Sequence, residues 1–259
     1  MRIATWNING VRARIDYVKI WLESRQPDLV GFQEIKATKE NFPAEAFEEL
    51  GYQVHVHGQK SWNGVAFAAK ADVEVTQLGL PDREENGARL IAGDFGDLSY
   101  ACVYCPNGKN VDHADFQMKL EWFGALRDFC ETQIASGKDF LIGGDYNICA
   151  TAADSHHGAD GDGEIFHTVE EREVLTRLFD LGLTDLFRNK YPDSDAFSWW
   201  DYRAGAFQRN HGLRIDLLLG TQGIVERTNE VVIDRDFRKK QEGLTASDHA
   251  PVYVDIASA

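Results

Sequence analysis

Apolar positions along the chain alternate between a strand rhythm and a helical one. Arg2–Ile8 (RIATWNI) reads as a strand closed by the turn Asn9-Gly10. Tyr17–Arg25 reads as a helix built on Val18, Ile20, Trp21 and Leu22, stopped by Gln26-Pro27. Leu29–Gln33 is a short strand of the fully buried kind, Glu45–Leu50 a helix ending at Gly51, and Tyr52–His57 a further strand. Gly64–Lys70, Val73–Leu78, Arg89–Phe95 and Ser99–Cys105 follow as a run of antiparallel strands. Phe116–Ile134 is the longest helical pattern, closed by Ser136-Gly137, and Asp139–Gly143 is a buried strand that leads into GGDYN. Thr151–Gly163 is polar and predicts a loop, Glu170–Leu181 a helix, and Ile215–Gly220 and Val252–Ile256 two late strands. Two groups of strands, each flanked by amphipathic helices, predict one layered α/β domain over residues 1–259 rather than a strict parallel βαβ repeat.

Composition narrows the class. A chain of 259 residues with 43% hydrophobic and 11% aromatic residues can build a sizeable core and is not of disordered type. No apolar run approaches the roughly 18 residues of a membrane span, and MRIATWNING lacks the apolar stretch of a secretory signal. Four Cys in a chain of this length do not make a disulfide scaffold, so a reduced, cytoplasmic protein is expected. The balance of 27 Lys+Arg against 42 Asp+Glu gives a net charge of −15, which by itself argues against a polyanionic partner.

Four segments share one feature: an apolar strand ends and carboxylates, amides or a His follow at once. They are TWNING, GFQEIK, IGGDYNI and SDHAPV. Their inventory is Asn7, Glu34, Asp145, Asn147, Asp248 and His249, placed where α/β sheets usually carry sites. Oxygen donors without a Cys/His cluster suit a hard cation, Mg²⁺ or Mn²⁺, rather than zinc. An Asp, a neighbouring amide and a His then suffice for phosphoester hydrolysis, one activating water, one orienting it and one stabilising charge on the phosphate. Singly, each of these residues is an ordinary turn former, helix cap or structural histidine; the combination points to chemistry.

TWNING, QEIK, NGVA, VYCPNG, GGDYNI, FSWWDYR, GLRIDLLL and SDHAPV, in order from residue 5 to 252, resemble the motif series of the exonuclease III family. These are DNA-repair apurinic/apyrimidinic endonucleases of the endonuclease/exonuclease/phosphatase superfamily. SDHAPV and GDxN mark the superfamily, whereas GLRIDLLL and SWWDYR point to the DNA-repair branch. The resemblance implies a four-layer αββα sandwich of two mainly antiparallel sheets flanked by helices. It implies Glu34 as the main metal ligand, with Asn7 and Asp248 completing the metal environment. It makes Asp145 the residue that activates water, Asn147 its helper, His249 the contact to the scissile phosphate with Asp216 as its carboxylate partner, and Tyr104 a phosphate-contacting tyrosine. Trp199, Trp200 and Leu213 match the wall of a pocket for an extruded abasic sugar, which is cheaper to extrude than a paired base. The implied activities are incision 5′ to abasic sites and trimming of 3′ ends on double-stranded DNA, by a monomer.

One departure stands out. Where many relatives place a small residue before a loop aromatic, this chain carries Phe166-His167, in GEIFHTVEER. Either side chain could crowd the sugar pocket, which predicts abasic incision weak relative to 3′-end processing. Other signals carry less. Cys102 and Cys105 form a C-x-x-C on a strand, where positions three apart face opposite sides. Asp160-x-Asp162-x-Glu164 has Ile165 where a calcium loop needs Gly, and His156-His157 reads as surface loop. A superfamily member acting on phosphoinositides or sphingomyelin would need a basic pocket or a membrane-docking hairpin, and neither is visible. A catalytically dead nucleic-acid-binding regulator would have lost part of the site series, which is intact. Arg12, Arg14, Lys36, Lys60, Arg203, Arg209 and Arg214 lie in or beside the motif loops and are expected to form a local positive rim, with Asn9, Arg12, Arg14, Lys36 and Arg203 near DNA.

Overall fold

The computed structural model describes residues 1–257. In chain order the strands are β1 (Arg2–Asn7), β2 (Leu29–Gln33), β3 (Gln53–His57), β4 (Val65–Ala69), β5 (Glu74–Leu78), β6 (Leu90–Phe95), β7 (Leu98–Tyr104), β8 (Asp139–Asp145), β9 (Thr184–Asp185), β10 (Asp216–Gly220), β11 (Thr228–Ile233) and β12 (Val252–Ile256). The helices are α1 (Val11–Arg25), α2 (Ala44–Glu48), α3 (Ala114–Ala135), α4 (Val169–Phe179), α5 (Leu186–Lys190) and α6 (Gln222–Arg227).

The strands form two six-stranded sheets, ordered β11-β12-β1-β2-β4-β3 and β5-β6-β7-β8-β10-β9. Residues of both sheets, among them Ile3, Phe67, Tyr100, Leu141, Leu218 and Val254, share the apolar layer between them. On the outer face of the first sheet, α1 and α2 cover Ala4, Trp6, Phe32 and Ala66; on the outer face of the second, α3 and α4 cover Val103, Ile142 and Leu217. The expected αββα layering is therefore what forms, because strands such as VAFAA and LVGFQ are apolar on both faces and must be covered twice.

Both sheets repeat one pattern. Each contains a single parallel pair, β1 with β2 and β7 with β8, flanked on either side by antiparallel partners. A parallel pair brings two strand C-termini to one edge, and the antiparallel neighbours β12 and β10 start at that same edge. Three such chain ends in each sheet, six in the pair, thus converge where the polar motifs begin.

Several sequence expectations shift. The run from Gly64 to Cys105 is split: β4 pairs with β2 and β3, and the chain then crosses to the other sheet for β5, β6 and β7. The first helix begins at Val11, not Tyr17, because Gly10 at φ 106° turns the chain directly into it and Val11 is buried. Arg12 and Arg14 therefore stand on a helix. The loop over 151–163 contains two short 3-10 turns, and β9, α5, α6 and β11 have patterns too short or too polar to announce themselves. All four cysteines are free and buried, with Cys102 and Cys105 in different apolar layers, which rules out a shared metal. Among the described residues no helix is long and apolar enough to cross a membrane.

Candidate active site

Strand register builds the site. Tyr104 lies beside Asp145 across β7 and β8, and Asp216 lies opposite Asp145 across β8 and β10. On the facing sheet Asn7 lies beside Gln33, which puts Glu34 one residue beyond the end of β2. The glycine before the aspartate is a packing requirement: a Cβ on Gly144 would sit 1.9 Å from the Val103 carbonyl oxygen. The NGVA motif supports QEIK, since the amides of Ile35 and Lys36 donate to the carbonyls of Gly64 and Asn63 at 3.1 and 3.0 Å.

The polar side chains then knit the two sheets together. Asn7 Nδ2 donates to Glu34 Oε1 and to Asp145 Oδ2, both at 2.9 Å, while its Oδ1 accepts the Asn9 amide at 3.0 Å. Lys36 Nζ donates to Asn9 Oδ1 at 2.6 Å and pairs with Glu34 Oε2 at 2.8 Å. Asn9 Nδ2 reaches Asp248 Oδ1 at 3.0 Å, and the Trp199 indole reaches Asp248 Oδ2 at 3.1 Å. The Asn147 amide donates to Asp145 Oδ1 at 3.0 Å, and its side chain donates to the Cys105 carbonyl at 3.0 Å. His249 Nδ1 lies 2.9 and 3.1 Å from the two oxygens of Asp216, and its Nε2 lies 3.8 Å from Asp145 Oδ2. Asn9, Glu34, Lys36 and Asn147 all have φ between 47° and 52°, a left-handed backbone that costs on the order of 1 kcal/mol each and recurs at functional sites.

Electrostatics follow from burial and pairing. Burial pushes the Asp145 carboxyl up, although the His249 charge works against it. Burial would lower His249, but Asp216 and then Asp145 overcome it and raise the imidazole well above its usual range. Burial also opposes ionisation of Glu34 and Asp248; hydrogen bonds from Asn7 and Lys36 to the former, and the His249 charge and the Asn9 bond to the latter, hold both below the usual carboxylate range. Burial raises the Tyr104 hydroxyl well above its ordinary value, reinforced by the adjacent Glu34.

Four carboxyl groups, Glu34, Asp145, Asp216 and Asp248, face only two cationic side chains, Lys36 and the raised His249, an acidic surplus that a divalent cation would offset. Ligand atoms of Asp145, Asp216 and His249 lie within 4.8 Å of one another. This oxygen-rich donor set fits a hard divalent ion. Asn7 joins the two carboxylates through its amide nitrogen while its oxygen accepts the Asn9 amide, so it holds Glu34 and Asp145 in register.

Next to this rim lies a hollow of about 350 Å³ whose wall includes Phe166, His167, Trp199, Arg203 and Leu213. Trp200 is not part of it. Trp200 is fully buried against Phe197, Ala206 and Ala250, because the extended chain alternates sides and only Trp199 faces the hollow. Arg214 is likewise no part of a positive rim; it is buried on Asp154 at 2.7 Å and Asp185 at 2.8 Å. Lys36 is committed to Glu34, Arg14 to the Asn9 carbonyl and Tyr202, and Arg203 to Asp201, although its side chain is 88% exposed. Arg12 is exposed on α1.

Two supports escaped sequence reasoning. Ser198 Oγ donates to Asp216 Oδ2 at 2.6 Å and accepts the amides of Ile215 and Asp216, fixing the carboxylate that holds His249. Its place in FSWWDYR was the available signal. Lys119 and Glu171, both wholly buried, pair with each other, and Lys119 Nζ donates to the Asn147 carbonyl at 2.7 Å. A Lys on an otherwise apolar helix face gave no sign of this.

Carboxylates, amides and a carboxylate-held histidine gathered on the edges of two stacked sheets, with room for a divalent ion, define a hydrolytic phosphoester centre. The profile of the Endonuclease/Exonuclease/phosphatase family matches residues 4–249, and the chain belongs to that family. It is 38% identical to an Exodeoxyribonuclease III of Haemophilus influenzae over 269 residues, spanning 99% of this chain and 100% of the other. Its structure is similar to that of a 3′ phosphatase from Neisseria bound to product DNA hairpin (TM-score 0.95, 32% identity, all of both chains). It is also similar to an AP endonuclease from Archaeoglobus fulgidus (TM-score 0.94, 28% identity, all of both chains).

Proposed function

We propose that the protein is a Mg²⁺-dependent DNA-repair phosphodiesterase that acts on duplex DNA as a single-domain monomer, incising 5′ to abasic sites and trimming 3′ ends to a 3′-hydroxyl. The observation that carries this reading is the bridge Glu34–Asn7–Asp145 facing the pair Asp216–His249. Relatives named for exodeoxyribonuclease, 3′ phosphatase and AP endonuclease activities support the substrate class.

Asp145 accepts a proton from the water that attacks phosphorus, and the Asn147 amide fixes the carboxylate oxygen that is not used. The protonated His249, kept cationic by Asp216, donates from Nε2 to a phosphate oxygen as charge builds there. Tyr104 donates a hydrogen bond from its hydroxyl to the same phosphate, since burial keeps the phenol protonated. The bond from phosphorus to the water oxygen forms as the bond to the 3′-oxygen breaks; the leaving oxygen takes a proton from solvent, and Asp145 returns to solvent the one it accepted. Mg²⁺, or Mn²⁺ in its place, would be held by Glu34 with Asp248 nearby, and supplies neutralising charge for the phosphate. The test is EDTA-sensitive nicking of an abasic duplex beside a 3′-recessed duplex, repeated with Asp145→Asn. Loss of roughly 10²–10⁴-fold in single-turnover cleavage is expected; near-normal cleavage would overturn the assignment.

A second reading, favoured by a specific feature, is a 3′-end-processing nuclease with weak abasic incision. Phe166, at φ 72°, and His167 both contribute to the wall of the hollow where an extruded sugar would enter. A 3′-phosphate needs no extruded sugar. Comparable rates on an internal abasic duplex and a 3′-phosphate end would remove this reading.

A further inference from the structure

Among the described residues Lys119 is the only buried lysine, and no step of the hydrolysis uses its charge. It stands on the second turn of α3 and pairs with Glu171 in the first turn of α4, both side chains out of reach of solvent. Its Nζ donates to the Asn147 carbonyl at 2.7 Å, to the Asn107 carbonyl at 3.3 Å and to Glu171 Oε1. An ammonium has three N–H donors and no acceptor, so these partners saturate it. The stem reaches this point because Gly108, at φ 86°, has no side chain: a Cβ there would lie 3.1 Å from Lys119 Cδ. The Phe166 ring, 5.0 Å from Nζ, closes the remaining side as a cation–π partner.

The acid is fixed as firmly as the base. Glu171 Oε2 accepts the Thr168 amide at 3.1 Å and the Thr168 hydroxyl at 3.0 Å, and Thr168 Oγ1 accepts the Glu171 amide at 3.1 Å. This is the capping box of α4, so one carboxylate oxygen serves a helix terminus and the other serves Lys119. Burial pulls the Lys119 ammonium down, and the Glu171 charge works against that. Stability alone does not call for an ion pair here, since apolar side chains of the same volume usually serve a core as well. What the ammonium alone supplies is three diverging donors at one atom, and two of them go to carbonyls in the VYCPNG and GGDYNI segments.

Those carbonyls belong to residues that shape the reactive centre. Asn147 turns the chain at φ 52°; its amide donates to Asp145 Oδ1 and its side-chain Nδ2 to the Cys105 carbonyl, both at 3.0 Å. Asn107 Nδ2 lies 3.5 Å from Asn147 Oδ1. Holding the Asn147 carbonyl therefore pins one end of a turn whose other end braces Asp145.

We propose that Lys119 is a positioning residue for hydrolysis. From behind the rim it holds the turns at Asn107 and Asn147, and through them the Asp145 carboxylate, in the reactive arrangement. Glu171 is the counter-charge that lets an ammonium remain there. The assignment rests on the phosphodiesterase reading, and it adds a residue that meets no substrate because it is wholly buried.

The test neutralises both partners at once, in Lys119→Met/Glu171→Gln, so that no unpaired ion is left buried. Rates of 3′-trimming on a duplex with Mg²⁺ are measured for this pair of substitutions in the wild type and in Asp145→Asn. In the wild type kcat is expected to fall about 10–100-fold, the range for groups that orient a reactive group from behind it. KM for the duplex is expected to stay within about twofold, because only the arrangement of the reacting groups is disturbed. In Asp145→Asn the same pair is expected to cost less than about threefold, since residues that act as a unit are not additive. A loss of folded protein would instead lower the rate by the same factor in both backgrounds. Equal losses in the two, or a kcat within about twofold of wild type, would overturn the positioning role and leave the nuclease reading intact. Should the neutral pair not fold, Lys119→Gln goes through the same cycle and is judged by the same outcomes. Absence of cleavage by the wild type with Mg²⁺ or Mn²⁺ would overturn both readings.

Discussion

Replacing Asp216 by Asn isolates the charge that keeps His249 cationic. The amide has nearly the same shape, and its oxygen can still accept from Nδ1, which now lies 2.9 and 3.1 Å from the carboxylate oxygens. What disappears is a full negative charge at the imidazole. At a charge separation of about 4 Å and an effective dielectric constant of about 20, that charge stabilises the imidazolium by about 4 kcal/mol. At 1.36 kcal/mol per pKa unit this is about three units. Burial, which opposes the proton, then goes largely unanswered, since the remaining partner Asp145 stands 3.8 Å from Nε2. The sign follows directly. In the wild type a raised imidazole keeps its proton through neutral pH, so its contribution to kcat/KM is lost only in alkaline solution. In Asp216→Asn the loss moves down, so kcat/KM falls as pH rises through neutrality and partly recovers on acidification. The assay is 3′-trimming of a fluorescent duplex at saturating metal from about pH 6 to about pH 9, with thermal melts as a fold control. The expected deficit at pH 7.5 is roughly 10²-fold, within the range for acid–base groups. A pH profile parallel to wild type would refute the reasoning, whatever the size of the deficit.

Three further outcomes follow from the same geometry. Arg214→Met removes the buried cation that Asp154 and Asp185 share, leaving Arg188 as the remaining cation on Asp154, and should cost about 3–5 kcal/mol in urea unfolding; an unchanged midpoint would restore Arg214 to a surface role. Trp199→Ala should slow cleavage with little loss of stability, because its indole anchors Asp248, whereas Trp200→Ala should lose about 3–5 kcal/mol of stability by emptying a packed site. Duplex binding should show a short salt slope, with well under about ten phosphate-neutralising contacts; filter binding across ionic strength measures it, and a slope of ten or more would contradict the scarcity of uncommitted surface cations.

The catalytic rim was legible because its residues sit at strand ends, where a change from apolar to polar is visible in one dimension. Glu34, Asp145 and Asp216 lie at or one residue beyond the last ladder pair, so register and the stacking of the two sheets bring them together, and His249 joins them from three residues before β12. The resemblance supplied the layering, and it holds because every central strand is apolar on both faces. What the sequence could not show is direction. Trp199 and Trp200 are adjacent and chemically identical, and only the local extended backbone decides that one faces the hollow and the other the core. Asn7 carries both a donor and an acceptor, and the Asn9 amide decides which end meets Glu34 and Asp145. Arg214 looks like any basic residue in a motif loop until Asp154 and Asp185, 60 and 29 positions away (214 − 154 and 214 − 185), fold against it. Sheet assignment was equally hidden: β4 and β5 are near neighbours in sequence yet lie in different sheets, and the short link between them does not announce the crossing.

The net charge of −15 and a polyanionic substrate are reconciled by where the few cations are spent. Of the expected basic rim, Arg214 is buried, Lys36 neutralises Glu34, Arg14 braces Asn9 and Arg203 answers Asp201. Arg12, Lys60 and Arg209 remain exposed at the surface, too few to hold undamaged duplex tightly once counterions compete. On the proposed function, the attraction that matters would come from sites engaged only by the correct end of a strand: a divalent ion that offsets the carboxylate surplus, and the cationic His249. His249 is buried, so a phosphate would have to be brought into the rim to meet it. An acidic surface that repels continuous duplex and a recessed cationic site that accepts a displaced phosphate act in the same direction. On the proposed function, the two together would turn the unfavourable overall charge into discrimination between damaged and intact DNA.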